Sequence, residues 1–267
     1  MDRAVFDRFR SIVYKTSGIS LNDTKEALVS ARVAKRMRAL GLEDYETYLQ
    51  RVEEDRDGRE VIHLIDAIST NVTSFFREPA HFDLLSHLVS RWMDEGQKRF
   101  RFWSAASSTG EEPYTMAMTL LEATQGRSVD MRILATDIST AVLEKCRVGA
   151  YAADKLAGVP GPLRDRYFEL RRDGRAGQYV AKPCMRDLLA FQRLNLSQPP
   201  FPMRGPMDVV FCRNVMIYFD NGVRRRLLEE IYRLLKPGGY LMVGHAESLT
   251  GMMSEFKVFR PSVYVKH

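Results

Sequence analysis

The chain has 267 residues, long enough for one sizeable core plus a smaller module, and its 45% hydrophobic and 28% charged content is that of a soluble globular protein. No uninterrupted apolar run approaches the roughly 20 residues that cross a bilayer, and the start MDRAVFDRF is charged from its second residue, so neither a membrane span nor a secretory signal is expected. A net charge of +6 and a pI near 9.2 point to an acidic partner, either nucleic acid or an acidic protein surface.

Residues 1–70 read as helical. Val5, Phe6, Phe9, Ile12 and Val13 recur at the helix period. Asn22, Asp23 and Thr24 are cap candidates for a second helix that runs to about Leu40, where Gly41 stops it. On that helix Leu28, Ala31 and Leu40 are expected to face inward. Lys25, Arg32 and Arg36 then form one outward stripe with Lys35 beside it. From Arg8 to Arg38 eight basic residues are opposed only by Asp23 and Glu26, and Glu43 to Glu60 then swings acidic. The stripe is either a solvated face or a docking surface for something acidic.

After residue 80 strands and helices alternate. Arg99–Ser104 is strand-like, and a helix follows from Glu111 to Thr124. Met131–Thr136 is the next strand, ending at Asp137, and Thr140–Arg147 is helical. Asp208–Cys212 is a fully apolar strand followed by a helix over Val223–Leu235. Lys236-Pro237-Gly238-Gly239 is a tight turn into a strand over Tyr240–Gly244, and Phe256–Phe259 with Ser262–Val265 closes as a hairpin around Pro261. Such alternation predicts a parallel sheet covered on both faces. Residues 150–194 break the rhythm. Gln178–Ala181 and Leu188–Arg193 read as short strands and Arg171–Gly177 as a loop, together a small antiparallel insertion.

The strand Asp208–Cys212 ends abruptly in Arg213 and Asn214, with Tyr218 one turn further on. Open parallel sheets place ligand-binding groups at such points, just beyond the carboxyl end of a central strand. The first strand runs into Ser104–Gly110, where every residue but Thr109 is Ala, Ser or Gly, so backbone can approach a ligand closely. A dinucleotide fingerprint needs three glycines, and only Gly110 is present; Glu111 and Glu112 at the helix start would also repel a pyrophosphate. Asp137, after the second strand, stands where an acid accepts hydrogen bonds from ribose hydroxyls. A nucleoside carrying positive charge fits these features, and S-adenosylmethionine meets that description.

These segments resemble the chemotaxis receptor methyltransferase (CheR) family: TNVTSFFREP at Thr70–Pro79, WSAASSTGEEPY at Trp103–Tyr114, ATDIS at Ala135–Ser139, FCRNVMIYFD at Phe211–Asp220 and LKPGGYLMVGHAES at Leu235–Ser248. The resemblance covers nearly the whole chain and is weakest in the insertion. It implies an α/β fold: a Rossmann-like S-adenosylmethionine-dependent methyltransferase domain with a mixed seven-stranded sheet, a small antiparallel β insertion and an α-helical N-terminal domain. The domains would be 1–70 (helical), 71–98 (linker and lead-in helix) and 99–267 (methyltransferase, with the insertion at about 150–194). The implied activity is methyl transfer from S-adenosyl-L-methionine, leaving S-adenosyl-L-homocysteine, to glutamate side chains of bacterial chemoreceptors. Implied cofactor contacts are Asn71, Thr73, Arg77, Glu112 (with Glu111 as its alternative), Asp137, Asn195, Leu196, Arg213 and Asn214. Arg77 and Tyr218 match the catalytic positions. The basic second helix, with Lys25, Arg32, Lys35 and Arg36, would dock on the receptor's acidic helices, and the insertion, in some members, on a receptor C-terminal peptide.

Two other readings compete. Basic charge and NLSQPPF at Asn195–Phe201 superficially suit an amino-methyltransferase acting on nucleic acid, but Asn195 is separated from Pro199-Pro200 and the stretch precedes the central strand. A cofactor-binding regulator without catalysis is the second, opposed by the presence of both Arg77 and Tyr218. Cys146, Cys184 and Cys212 are widely spaced and odd in number, as reduced cytoplasmic thiols are. Cys212 is expected to be strand packing and not a nucleophile. His245 is expected to be a hydrogen-bonded structural residue. His63, His81 and His87 offer no metal set by spacing, so no metal is expected. Met252 and Met253 are expected to fill the core. A cytoplasmic monomer is expected, with no nucleic acid partner and no membrane insertion.

Overall fold

Each N-terminal helix forms where apolar residues return to one face, and that face decides how the four pack. The computed structural model describes residues 1–172, 177–249, 251–253 and 255–267. Helix α1 (Arg3–Ser17) buries Val5, Phe6, Phe9 and Val13; Asp2 caps it by accepting from the Val5 N–H, and Gly18 ends it at φ 71°. Glycine is required there because a Cβ would stand 2.4 Å from Ser197 Cβ of the other domain. Helix α2 (Glu26–Ala39), entered through a 3-10 turn at Asp23–Lys25, buries Val29, Val33 and Met37. Leu28 and Ala31, expected inward, are exposed, because the four-residue step starting at Val29 claims the inner face; Leu40 does pack on the core. Helices α3 (Tyr45–Glu53) and α4 (Arg59–Ile68) complete this core with Tyr48, Leu49, Leu64 and Ile65.

The remaining elements, in chain order, are α5 (Ala80–Asp94), β1 (Arg99–Ser104), α6 (Glu111–Ala123), β2 (Asp130–Asp137), α7 (Thr140–Val148), β3 (Ala150–Ala152), α8 (Gly161–Tyr167), β4 (Phe168–Arg171), β5 (Gln178–Ala181), α9 (Pro183–Arg186), β6 (Leu189–Arg193), β7 (Met207–Cys212), α10 (Asn221–Leu234), β8 (Leu235–Val243), β9 (Phe256–Arg260) and β10 (Val263–Lys266). Seven strands form one sheet in the order β6-β2-β1-β7-β8-β10-β9. Pairing is parallel from β6 to β8 and antiparallel at β10 and β9. Successive side chains on a strand point to opposite faces. Phe100, Phe102, Val209 and Phe211 therefore join one core with α5 and α6, while Trp103, Val210 and Cys212 join another with α10. The LKPGGY segment bulges out of the sheet: pairing steps from Met207↔Leu235 to Val209↔Tyr240, and Gly238 has φ 71°.

One boundary is corrected. Leu189–Arg193 pairs in parallel with β2, from Ile133↔Leu189 to Asp137↔Arg193, and so is the edge of the large sheet and not part of the insertion. The small antiparallel sheet consists of β3, β5 and β4, with β5 in the centre. The loop expected over Arg171–Gly177 falls partly on residues 173–176, outside the described residues. Among the described residues no helix is long and apolar enough to cross a membrane.

The helical domain is docked on the sheet domain through polar backbone groups. Asn195 donates from Nδ2 to the Thr16 carbonyl at 2.6 Å, and the Ser20 N–H donates to the Tyr218 carbonyl at 2.8 Å. Ile19 and Phe219 add an isolated antiparallel bridge.

Candidate active site

Strand order reverses between β1 and β7, and a crevice outside the carboxyl ends of the strands forms at such a point. A cleft with about 1260 Å³ of empty space, measured out into its open mouth, lies there. Its lining brings together Asn71, Thr73 and Arg77 from the interdomain segment, Glu112 and Asp137 from the sheet domain's first half, and Asn195, Leu196, Arg213, Asn214 and Tyr218 from its second. Lys25, Leu28 and Arg32 of the helical domain line it as well. Lys35 and Arg36 do not.

The loop after β1 is shaped by its small residues. Ser108 adopts φ 48°, and its N–H donates to Asp137 Oδ2 at 2.9 Å while its hydroxyl donates to the Asn71 carbonyl at 3.1 Å. The Ser139 N–H donates to Asp137 Oδ1 at 3.0 Å. Asp137 is thus fixed by one N–H on each oxygen, with lone pairs left for further donors. Burial pushes its carboxyl above the ordinary range, against the pull of those N–H groups. The two glutamates at the start of α6 separate cleanly. Glu111 is buried, accepts from the Thr109 hydroxyl at 2.6 Å and is not in the lining; Glu112 is in it, accepting from Ser104 Oγ at 2.7 Å. Burial pushes the Glu112 carboxyl up as well, with Arg213 pulling the other way.

Arg213 is the central cation, its side chain 1% exposed. Its Nη2 donates to the Arg77 carbonyl and, at 3.1 Å, to Glu78 Oε2; Nη1 stands 3.5 Å from Glu112 Oε2. The guanidinium carbon lies 5.4 Å from the Phe82 ring centre and 5.6 Å from that of Phe211, both within cation–π range. Nε and Nη1 are buried without a hydrogen-bond partner. Asn214 follows at φ 57°, a conformation unfavourable for a side chain larger than glycine's. Glu247 holds it: its carboxylate accepts from the N–H groups of Asn214 and Gly244, both at 2.7 Å, and of Ile217 at 3.2 Å. A Cβ on Gly244 would stand 2.3 Å from Asn214 Nδ2, so only glycine permits this approach. Tyr218 sits in the 3-10 turn Met216–Tyr218 that this carboxylate anchors. Arg77 is half-buried and donates to the Val72 carbonyl at 3.1 Å.

Several expected roles change in three dimensions. Arg36, expected on an outward docking stripe, is committed within its own domain: Nε and Nη2 reach Glu60 at 2.8 and 2.7 Å. Arg32 donates to the carbonyls of Ile68 and Ser69, which closes the end of α4 and holds the start of the segment carrying Asn71, Thr73 and Arg77. Asn195, expected as a cofactor contact, lines the cleft but spends its amide on Thr16 and its carbonyl oxygen on Ser197. Cys212 keeps its expected role: it is fully buried strand packing, and that burial pushes its thiol well up. His245, expected to be hydrogen-bonded structure, has an exposed ring, and the fold brings it to Glu78 and His81. Met252 and Met253 are only partly buried against the α10-side core. Sequence reasoning does not single out Glu78 or Glu247, and it places Ser108 only within the small-residue loop Ser104–Gly110. Glu78 lies inside FFREP and Glu247 inside GHAES, and that is the signal the sequence holds for them.

The comparisons with known proteins agree with this geometry. The family model for the CheR methyltransferase SAM-binding domain matches residues 71–265, and that for the CheR all-alpha domain matches residues 4–69. The chain is 39% identical over 246 residues to chemotaxis protein methyltransferase 2 of Pseudomonas aeruginosa, covering 92% of this chain and 87% of that one. It is 38% identical to the chemotaxis protein methyltransferase of Salmonella typhimurium and 37% identical to that of Escherichia coli, in each case over 98% of this chain and 89% and 90% of theirs. With both domains matched and the cleft between them lined as described, the chain belongs to the CheR methyltransferase family, whose methyl donor is S-adenosylmethionine.

Proposed function

We propose that this cleft presents the methyl group of S-adenosylmethionine to the ionised side chain of a chemoreceptor glutamate, forming a glutamate methyl ester. The observation that carries this reading is the charge pattern of one cleft, with the carboxylates Glu112 and Asp137 set deep and the cations Arg77, Lys25 and Arg32 around them. The deep residues fit the donor. Asp137 keeps lone pairs for two ribose hydroxyls, Glu112 suits an ammonium group, and the unpartnered N–H groups of Arg213 suit a carboxylate. Asn71, Thr73, Asn195, Leu196 and Asn214 complete the wall around the nucleoside.

Bound there, S-adenosylmethionine supplies a methyl carbon activated by its sulfonium. A glutamate side chain, with an ordinary pKa of about 4.3, arrives already ionised and attacks through oxygen without losing a proton. The chain therefore has to align and not to deprotonate. Arg77 holds the acceptor carboxylate by paired hydrogen bonds, and Tyr218 sets the angle of the attacking oxygen. Both roles tolerate only moderate strength, since donors bound tightly to the attacking lone pair would lower its nucleophilicity.

Lys25 and Arg32 at the cleft, with exposed Lys35 on the same helix, favour an acidic receptor helix lying across the mouth. Arg36 contributes through the fold that carries this face. The insertion offers the outer edges of β3 and β4 for a receptor C-terminal strand. The chain works as a cytoplasmic monomer in this reading. Methyl transfer from tritiated donor to receptor membranes tests it: the label should be released as methanol by mild base. Base-stable label would indicate an amine product and overturn the assignment.

A further inference from the structure

Glu78, His81 and His245 lie behind Arg213, outside the lining of the cofactor cleft, and bring a carboxylate oxygen and two imidazole nitrogens within 4.8 Å of one another. Glu78 precedes α5 at φ 57°, His81 sits in the first turn of that helix, and His245 follows β8. Ser262 Oγ lies 2.9 Å from His81 Nε2 and within reach of the Pro261 carbonyl at 2.7 Å, so with its proton spent on that carbonyl it accepts from a ring proton on Nε2. Nδ1 then carries a lone pair. That nitrogen is buried, has no hydrogen-bond partner and faces Glu78 Oε2 at 3.5 Å. His245 Nε2 stands 4.0 Å from the same oxygen. A buried lone pair held against a carboxylate oxygen is unfavourable unless a cation lies between them.

The geometry points to a binding site for a transition-metal ion of the zinc class, held by Glu78, His81 Nδ1 and His245 Nε2, with a fourth position open to solvent beside His245. Tetrahedral ligands at about 2.0–2.1 Å from zinc stand roughly 3.3 Å apart, so the observed spacings need only a small turn of the exposed His245 ring. The Ser262 bond to His81 Nε2–H is the outer contact that orients a metal-ligating imidazole. Arg213 is the opposing charge nearby: its Nη2 donates to Glu78 Oε2 at 3.1 Å, which leaves that oxygen a second lone pair for the ion, and its Nη1 stands 3.5 Å from Glu112, which offsets the repulsion. The site does not depend on the identity of the methyl acceptor.

Titration of the full chain with zinc, and with cobalt as a spectroscopic stand-in, tests the proposal. One equivalent should bind, with the visible absorption of a low-coordinate cobalt centre. His245→Ala, at an exposed position whose ring supports no core, should weaken binding by about 100-fold or more. The double variant His87→Ala/Cys184→Ser, which removes an exposed imidazole and an exposed thiol elsewhere, should bind as the parent does. Failure to bind either ion, unchanged affinity in His245→Ala, or loss in the double variant would each overturn the site. Circular dichroism of His245→Ala separates lost binding from lost folding.

Discussion

Two arginine–carboxylate pairs hold the two halves of this molecule, and they differ in how completely they are matched. In the helical domain, Arg36 meets both oxygens of Glu60, and the Tyr48 hydroxyl adds a third bond at 2.9 Å. The Arg36 side chain is still 24% exposed, and none of its nitrogens is buried without a partner. In the sheet domain, Arg213 is buried, shared between Glu78 and Glu112, and left with Nε and Nη1 unpartnered. A buried pair is costly unless its hydrogen bonds are complete. The saturated pair serves as scaffolding, whereas the incomplete one lines the cleft at the end of a central strand, where the proposed function places the donor's carboxylate.

The largest effect expected belongs to neither pair but to the residue that Arg213 fixes. Arg77→Ala should lower kcat by about 10²–10³, measured as base-labile methyl transfer, with a much smaller change in S-adenosylhomocysteine affinity by calorimetry. A rate within threefold of the parent would remove Arg77 from the positioning role. The two pairs should then separate by assay. Arg213→Met should weaken S-adenosylhomocysteine about 10–100-fold, the loss of charge-assisted bonds to a carboxylate. Arg36→Met should leave that affinity alone and lower stability by about 2–3 kcal/mol in urea, less than the roughly 3–5 kcal/mol of a fully buried pair because the site is partly exposed. If Arg36→Met weakened the cofactor and Arg213→Met did not, saturation would not distinguish scaffold from site.

Local pattern was enough for much of this architecture. Alternation in RFRFWS and the abrupt end of DVVFC at Arg213-Asn214 located the crevice, because side-chain direction in a strand repeats every two residues. What failed was long-range. Leu189–Arg193 carries no mark of the partner it will pair with, and a short apolar run reads alike on a parallel edge or in a hairpin. Arg36 looks like a free cation until Glu60, 24 positions later, comes back beneath it. His81 and His245 belong to one cluster only because α5 and the end of β8 meet beside β7. The choice between Glu111 and Glu112 needed the helix phase, which turns about 100° per residue and puts one carboxylate in the cleft and the other against Thr109.

The receptor face should respond less than either pair. Lys25→Glu/Lys35→Glu reverses two exposed charges without touching a buried contact. It should raise KM for receptor membranes about 5–10-fold at low salt, with kcat at saturation unchanged and the difference shrinking as salt is added. A change in kcat instead would place those lysines in the chemistry.

The smallest effect sharpens the comparison from the scaffold side. Burial pushes the Glu60 carboxyl up, but hydrogen bonds from Arg36 and Tyr48 outweigh it and leave it below the ordinary carboxylate range. A folded-state value below the unfolded one means that the unfolded chain takes up this proton first as pH falls. The pair's stabilisation is therefore fully present above the unfolded value of about 4.3 and is lost as pH drops through the folded one. Glu60→Gln lacks this ionisation and starts less stable at pH 7. The gap between parent and variant, read from urea midpoints, should narrow steadily between about pH 4.5 and 3. A gap that stayed constant across that range would mean that the charge of Glu60 contributes nothing, and that Tyr48 and Arg36 are held by packing alone.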